Sequence, residues 1–189
     1  MAQNTINNHI GGSALTTGYT FPLSDGSANQ ILQSNAAGTG FWGAATKVWT
    51  AYTCNITGST TNPTQGTGAV KNAYYLQVGK ILFLAFWYTQ GASPGTAGSG
   101  TYLFSLPTGY SIDSTIITSG SYLFQLGASA CYLSSDNGGG NTFPVSSTTI
   151  SLNISSSAGG AANFVVGSSF FGLNNTNLYI TFNAAIPIV

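Results

Sequence analysis

The chain predicts an all-β fold, an antiparallel β-sandwich of jelly-roll type. Three observations lead there. Short runs of β-branched and aromatic residues recur from residue 47 onward, clusters such as GASPGTAGSG and SSDNGGGN separate them, and no run of helical length shows a 3.6-residue period. About eight to ten strands at this spacing fit a sandwich better than any helix-containing architecture.

The elements follow in order. Residues 47–57 (KVWTAYTCNIT) form the first candidate strand. Residues 73–78 and 81–88 flank Gly79-Lys80, the two-residue connection of a tight hairpin. Further strands are expected at 101–106 (TYLFSL), 112–118, 122–126 (YLFQL), 130–134, 148–154, 164–171 and 178–186. The glycine-rich stretches 91–100 and 134–141 read as exposed loops, with Asp136 in a turn.

Two of these strands alternate differently. Residues 148–154 set Ile150, Leu152 and Ile154 against Thr149, Ser151 and Asn153, as a strand with one wet face should. Residues 81–88 are apolar on both faces, with Ile81, Phe83, Ala85 and Trp87 opposing Leu82, Leu84, Phe86 and Tyr88. One face meets the core of the sandwich, so the other needs a cover, and a neighbouring subunit is the expected one. Leu82, Leu84, Phe86 and Tyr88 are the candidates for a trimer interface.

Composition narrows the function. The chain has 189 residues, of which 3% are charged: three lysines, three aspartates, and neither arginine nor glutamate. An ordinary domain carries about 25%. Three scattered lysines cannot neutralise a phosphate backbone or hold an anionic lipid surface, so neither nucleic acid nor membrane is expected as a partner. No apolar run approaches the ~18 residues of a membrane-spanning helix. The polar opening MAQNTINNHIGGSAL shows no signal-peptide pattern. Near-zero net charge gives little repulsion between copies, which suits a protein that works in an assembly.

Residues 1–46 read as an extended arm ahead of a knob at 47–189. Pro22, Ser24-Asp25-Gly26 and Asn35-Ala36-Ala37-Gly38 are turn chemistry, and the apolar pieces Ile31-Leu32 and Phe41-Trp42 lie between and after these turns. A hairpin this small cannot bury them alone, so Ile31, Leu32, Phe41 and Trp42 are expected to contact other chains or the surface of a virion.

The spacing Tyr19-x-Phe21-Pro22-x-x-Asp25-Gly26-x-x-x-Gln30-Ile31-Leu32-x-x-Asn35-x-x-Gly38-x-Gly40-x-Trp42 resembles the segment ahead of the C-terminal knob in many tailed-phage fibre proteins. There the usual form is closer to LPxxDGxxGQVLxTDGxGxxxW, and this chain departs from it at Asn29 and at Ala36-Ala37. The stretches VWTAYTCNITGSTTNPTQGTG, YYLQVGKILFLAFWYTQG, GTYLFSLPTGYSID and LYITFNAAIPIV are similar to phage knobs as well. The resemblance implies a homotrimer of β-sandwich knobs whose N-terminal arms associate. A short arm without the adaptor and shaft of a long fibre is the layout of a capsid-decorating (cement or head-fibre) protein at the virion surface, with the major capsid protein as partner. The alternative is a short tail fibre or receptor-binding tip, partnered by a tail or baseplate protein and a host surface polysaccharide.

Catalysis has little raw material. The lone His9 lies in the arm, far from any nucleophile in sequence, and Asp25, Asp113 and Asp136 read as turn and surface residues, so no enzyme, catalytic residue or cofactor is expected. Ser135-Asp136-Asn137-Gly138 has one carboxylate and no following Glu, too little for a calcium loop, and no metal site is expected. Sequons at Asn55, Asn153 and Asn174 read as chance in so Asn- and Ser-rich a chain. Trp42, Trp49, Trp87 and the tyrosines could stack on sugar rings, but core or subunit-interface roles come first for aromatics on strands. Cys54 and Cys131, both in strand-like runs, are expected as buried free thiols.

Overall fold

A computed structural model describes residues 30–34, 40–44, 48–91, 93, 95–118, 124–133, 136–156, 163–164 and 177–189. The chain divides into two compact units, Met1–Lys47 and Val48–Val189. In the first, β1 (Gln30–Ser34) and β2 (Gly40–Ala44) pair antiparallel, with Leu32 opposite Trp42 and Gln33 opposite Phe41. Leu32 is 44% exposed. Ile31, Phe41 and Trp42 occupy positions on these strands, but their side chains, the turns around Asp25 and Asn35, and His9 lie outside the described residues.

The second unit is all-β, with no helix among its described residues. Its strands are β3 (Thr50–Ala51), β4 (Ile56–Gly58), β5 (Val70–Val78), β6 (Ile81–Thr89), β7 (Tyr102–Ser105), β8 (Gly127–Leu133), β9 (Asp136–Pro144), β10 (Thr149–Ser156), β11 (Asn163–Phe164) and β12 (Tyr179–Pro187). Every pair is antiparallel, in the order β3-β5-β6-β12-β8-β9-β10-β7-β4, with β11 beside β10 off this path.

That order requires a curled sheet. β3 and β4 end the path on opposite sides, yet only residues 52–55 separate them in the chain. Laid flat, nine strands put the outer two about 38 Å apart, at ~4.8 Å per gap. The linking residues reach about 17 Å at ~3.3 Å each. The sheet therefore rolls until its ends approach, and the short link ties them. Tyr52 N–H donates to Ala73 O of β5 (2.9 Å), while Asn55 O accepts from Ser105 N–H at the end of β7 (3.0 Å).

This tie corrects the first expected strand. Residues 47–57 change partners midway, and so divide into β3 and β4 instead of running straight. Two other expectations also change. Residues 112–118 form a single bridge, Ile112 with Ile188, and then turn. The Asp113 carboxylate accepts the Thr115 N–H (2.9 Å) and hydroxyl (2.5 Å), and its carbonyl accepts the N–H groups of Ile116 and Ile117. Local acceptors of this kind outcompete a ladder. Of the stretch 134–141, read as an exposed loop with Asp136 in a turn, residues 136–141 belong to strand β9, which is paired on both sides. Of the expected strand at 122–126, residues 124–126 are described and are not strand; of 164–171, only Phe164 is described, in β11 with Asn163.

The core fills the concave face. Ile180, Phe182, Ala184 and Ile186 of β12 alternate with exposed residues, and Ile150, Leu152 and Ile154 of β10 face inward. Phe182 stacks on Phe86 of β6 (centroids 4.8 Å apart, planes at 12°), and Phe104 of β7 meets both rings edge-on at 5.3 Å. Strands far apart in the sheet order thus touch through their aromatics. Each buried ring or branched side chain contributes about 1.5–3 kcal/mol.

Leu82, Leu84, Phe86 and Tyr88, expected at a trimer interface, are at most 3% exposed within the single chain. They belong to its own core and are not available to a second subunit. The opposite face of β6 is the one left over.

Candidate functional site

The outward residues of β6 and its neighbours make an aromatic, uncharged face. Outward positions fall in rows set by the register. Asn72, Trp87 and Thr181 form one row across β5, β6 and β12; Tyr74, Ala85 and Asn183 form the next. Trp87 is 50% exposed, Tyr74 43% and Phe83 37%. One row beyond Trp87, Tyr179 on β12 lies opposite Tyr132 on β8, their rings edge-on with centroids 5.8 Å apart.

A cleft of about 380 Å³ opens on this face, lined by Asn72, Tyr74, Ala85, Phe86, Trp87, Thr181 and Asn183. Its cause is local. Ala85 carries a single methyl between the larger Tyr74 and Asn183, so the surface dips there. Hairpin β5–β6 sets the dip against Tyr74, and its two-residue turn has Gly79 at φ +58°, the left-handed value that the first turn position of a type II′ hairpin requires. Thr181 Oγ1 donates to Phe86 O (3.0 Å), which holds its oxygen at the cleft wall.

Among the described residues, the cleft has no charged lining. Burial raises the Cys54 thiol, and a hydrogen bond with Tyr52 and then the charge of Lys71, the residue before Asn72 on β5, act the other way. Lys80, in the hairpin turn, acts on Asp113. Hydrogen bonds from Thr115 hold the Asp113 carboxyl below its ordinary range. Among the described residues, no three His, Cys, Asp or Glu side chains group as metal ligands would.

Cys54 and Cys131 are free and buried. Burial pushes the Cys54 thiol up to about 11 and moves Cys131 the same way.

The loop stretches flanking the hairpin are joined rather than free. Thr61 bridges Ser99, and Thr64 bridges Thr96; in each pair the hydroxyls also meet, at 2.7 and 2.9 Å. The matched spacing of Thr61/Thr64 and Thr96/Ser99 was a usable sequence signal for this zipper. For the cleft, the sequence shows residues 81–88 to be apolar on both faces, but the face expected outside, Leu82, Leu84, Phe86 and Tyr88, is the buried one. Nothing local in the sequence points to Asn72, Tyr74, Thr181 and Asn183, because β5 and β12 lie far apart in the chain and meet only through β6.

Compared with protein-family models, curated proteins and solved structures, the chain matches none.

Proposed function

We propose that the chain is a structural protein of a phage virion, a homotrimer whose β-sandwich knobs, of jelly-roll type, decorate and clamp the outside of the capsid through their N-terminal arms. The observation that carries this reading is the small unit Met1–Lys47. Its β1–β2 hairpin leaves Leu32 44% exposed. A two-stranded hairpin is marginal alone in water. Packing against equivalent hairpins and a shell surface supplies the missing burial. The near absence of charge suits close packing of many copies. The mechanism is mechanical, since apolar positions Ile31, Leu32, Phe41 and Trp42 would have to be withdrawn before the shell could open.

The aromatic cleft favours a second reading, a short tail fibre whose knob recognises a host polysaccharide. Quantitative mass spectrometry of purified virions separates the two. Decoration is expected to give a copy number that tracks the major capsid protein. A few copies per particle would transfer the protein to the tail, and its absence from particles would remove both readings.

A further inference from the structure

We infer that the cleft over Ala85 is a binding site for an uncharged carbohydrate chain, with Tyr74 and Trp87 as its two aromatic walls and Asn72, Asn183 and Thr181 as its hydrogen-bonding groups. The inference gives the second reading its site, but the cleft chemistry stands independently of where in a virion the chain resides.

Three features choose the ligand class. Tyr74 lies directly across from Ala85 on β5 and Trp87 two residues along β6, both about half-exposed, and they offer ring surface to the C–H face of a sugar. The Asn72 and Asn183 carboxamides both donate and accept, which matches hydroxyl groups that do the same. Among the described residues no charged side chain lines the cleft, so phosphate, sulfate or carboxylate would find no counter-charge there. A volume of about 380 Å³ lies within the ordinary range of ligand clefts. The edge-on pair Tyr132 and Tyr179 continues the aromatic surface one row past Trp87, which suits a chain of sugars over a single ring.

A second copy of the protein is a poorer occupant. A dry contact between identical faces would desolvate Asn72, Thr181 and Asn183 in the middle of the patch, and only one register about a two-fold axis could pair them with their counterparts. Each carboxamide left unpaired there would oppose association.

The test is calorimetric titration of the full chain with neutral glucose-, galactose-, mannose- and N-acetylglucosamine-based oligosaccharides, beside sulfated and sialylated ones. Saturable binding of at least one neutral chain is expected, insensitive to salt. Trp87→Ala and Asn183→Ala should each weaken it at least about tenfold, and Phe83→Ala, on the same face outside the cleft, should leave it nearly unchanged. Trp87→Phe keeps a ring and should restore part of the affinity, so a folding defect in the alanine variant is recognised. The inference is overturned if no neutral chain binds, if binding survives Trp87→Ala, or if anionic glycans bind more tightly and salt weakens them. It is also overturned if Trp87→Ala lowers the sedimenting mass, since the face would then join copies. None of these outcomes depends on the copy number in virions.

Discussion

At the scale of the residue, one methyl group decides where the cleft forms. Ala85 stands where its neighbours on β6 are Phe83 and Trp87, and any larger residue would fill the dip between Tyr74 and Asn183. The cysteines show the opposite use of a small side chain, as fully enclosed filler. The Cys54 thiol has its pKa pushed up from 9.0 to about 11 by burial. With the folded value above the unfolded one, its contribution is complete below about pH 9 and is lost as pH rises toward 11, because the unfolded chain releases the proton first. A shift of this size corresponds to about 2–3 kcal/mol. Melting temperature is therefore expected to hold steady from pH 6 to 8 and to fall above about pH 9, with a smaller fall in Cys54→Ala. Native protein should react with a thiol reagent only after unfolding, and an equal alkaline slope in Cys54→Ala would assign the loss to other groups. The burial of both thiols was legible in the sequence, since each sits in a run of strand-forming residues. The cleft was not, because nothing in the run ILFLAFWY tells which of its two apolar faces turns inward.

At the scale of the element, β9 is the instructive strand. Its sequence, DNGGGNTFP, has low strand propensity and reads as a loop. It is nonetheless held by ladders on both sides, with Gly138 to Pro144 paired to β10 and Asp136 to Thr142 paired to β8. The backbone carries the pairing, and the missing side chains let neighbouring strands come close where the sheet curls. A Cβ on Gly140 would sit 1.7 Å from Asn153 O and 2.9 Å from Ile154 Cα, whereas one on Gly139 would meet nothing within 4 Å. Gly140→Ala is expected to cost about 3 kcal/mol or more, and Gly139→Ala no more than about 1. Equal effects of the two in chemical denaturation would mean that the glycines act through chain flexibility rather than through close approach. Propensity failed here because tertiary pairing on two sides overrode it. It succeeded for β6, β10 and β12, where alternating or continuous apolar residues agree with the ladder they join.

At the scale of the whole molecule, closure is the governing feature. The link 52–55 ties the two ends of a nine-strand path, and Phe86, Phe104 and Phe182 meet across the enclosed space. Contacts between β6 and β12 join residues about 95 positions apart, so the second unit should fold as one cooperative body. Deletion of residues 1–47 is expected to leave a knob that melts in a single transition near the temperature of the full chain, yet no longer binds shells. Retained shell binding would overturn the role given to the arm, and an unfolded product would mean that the knob depends on it.

The sequence by itself determined the all-β class, the tight hairpin at Gly79-Lys80, the buried thiols and the scarcity of charge, because each follows from local propensity, turn chemistry or composition. Only the tertiary structure decided which face of β6 is core, that β9 is a strand and that residues 112–118 turn. It alone brought Asn72, Tyr74, Trp87, Thr181 and Asn183 around one alanine. The physical reason is register. A strand has two faces and two edges, and which face is buried and which strand lies alongside are fixed by pairings between segments far apart in the chain.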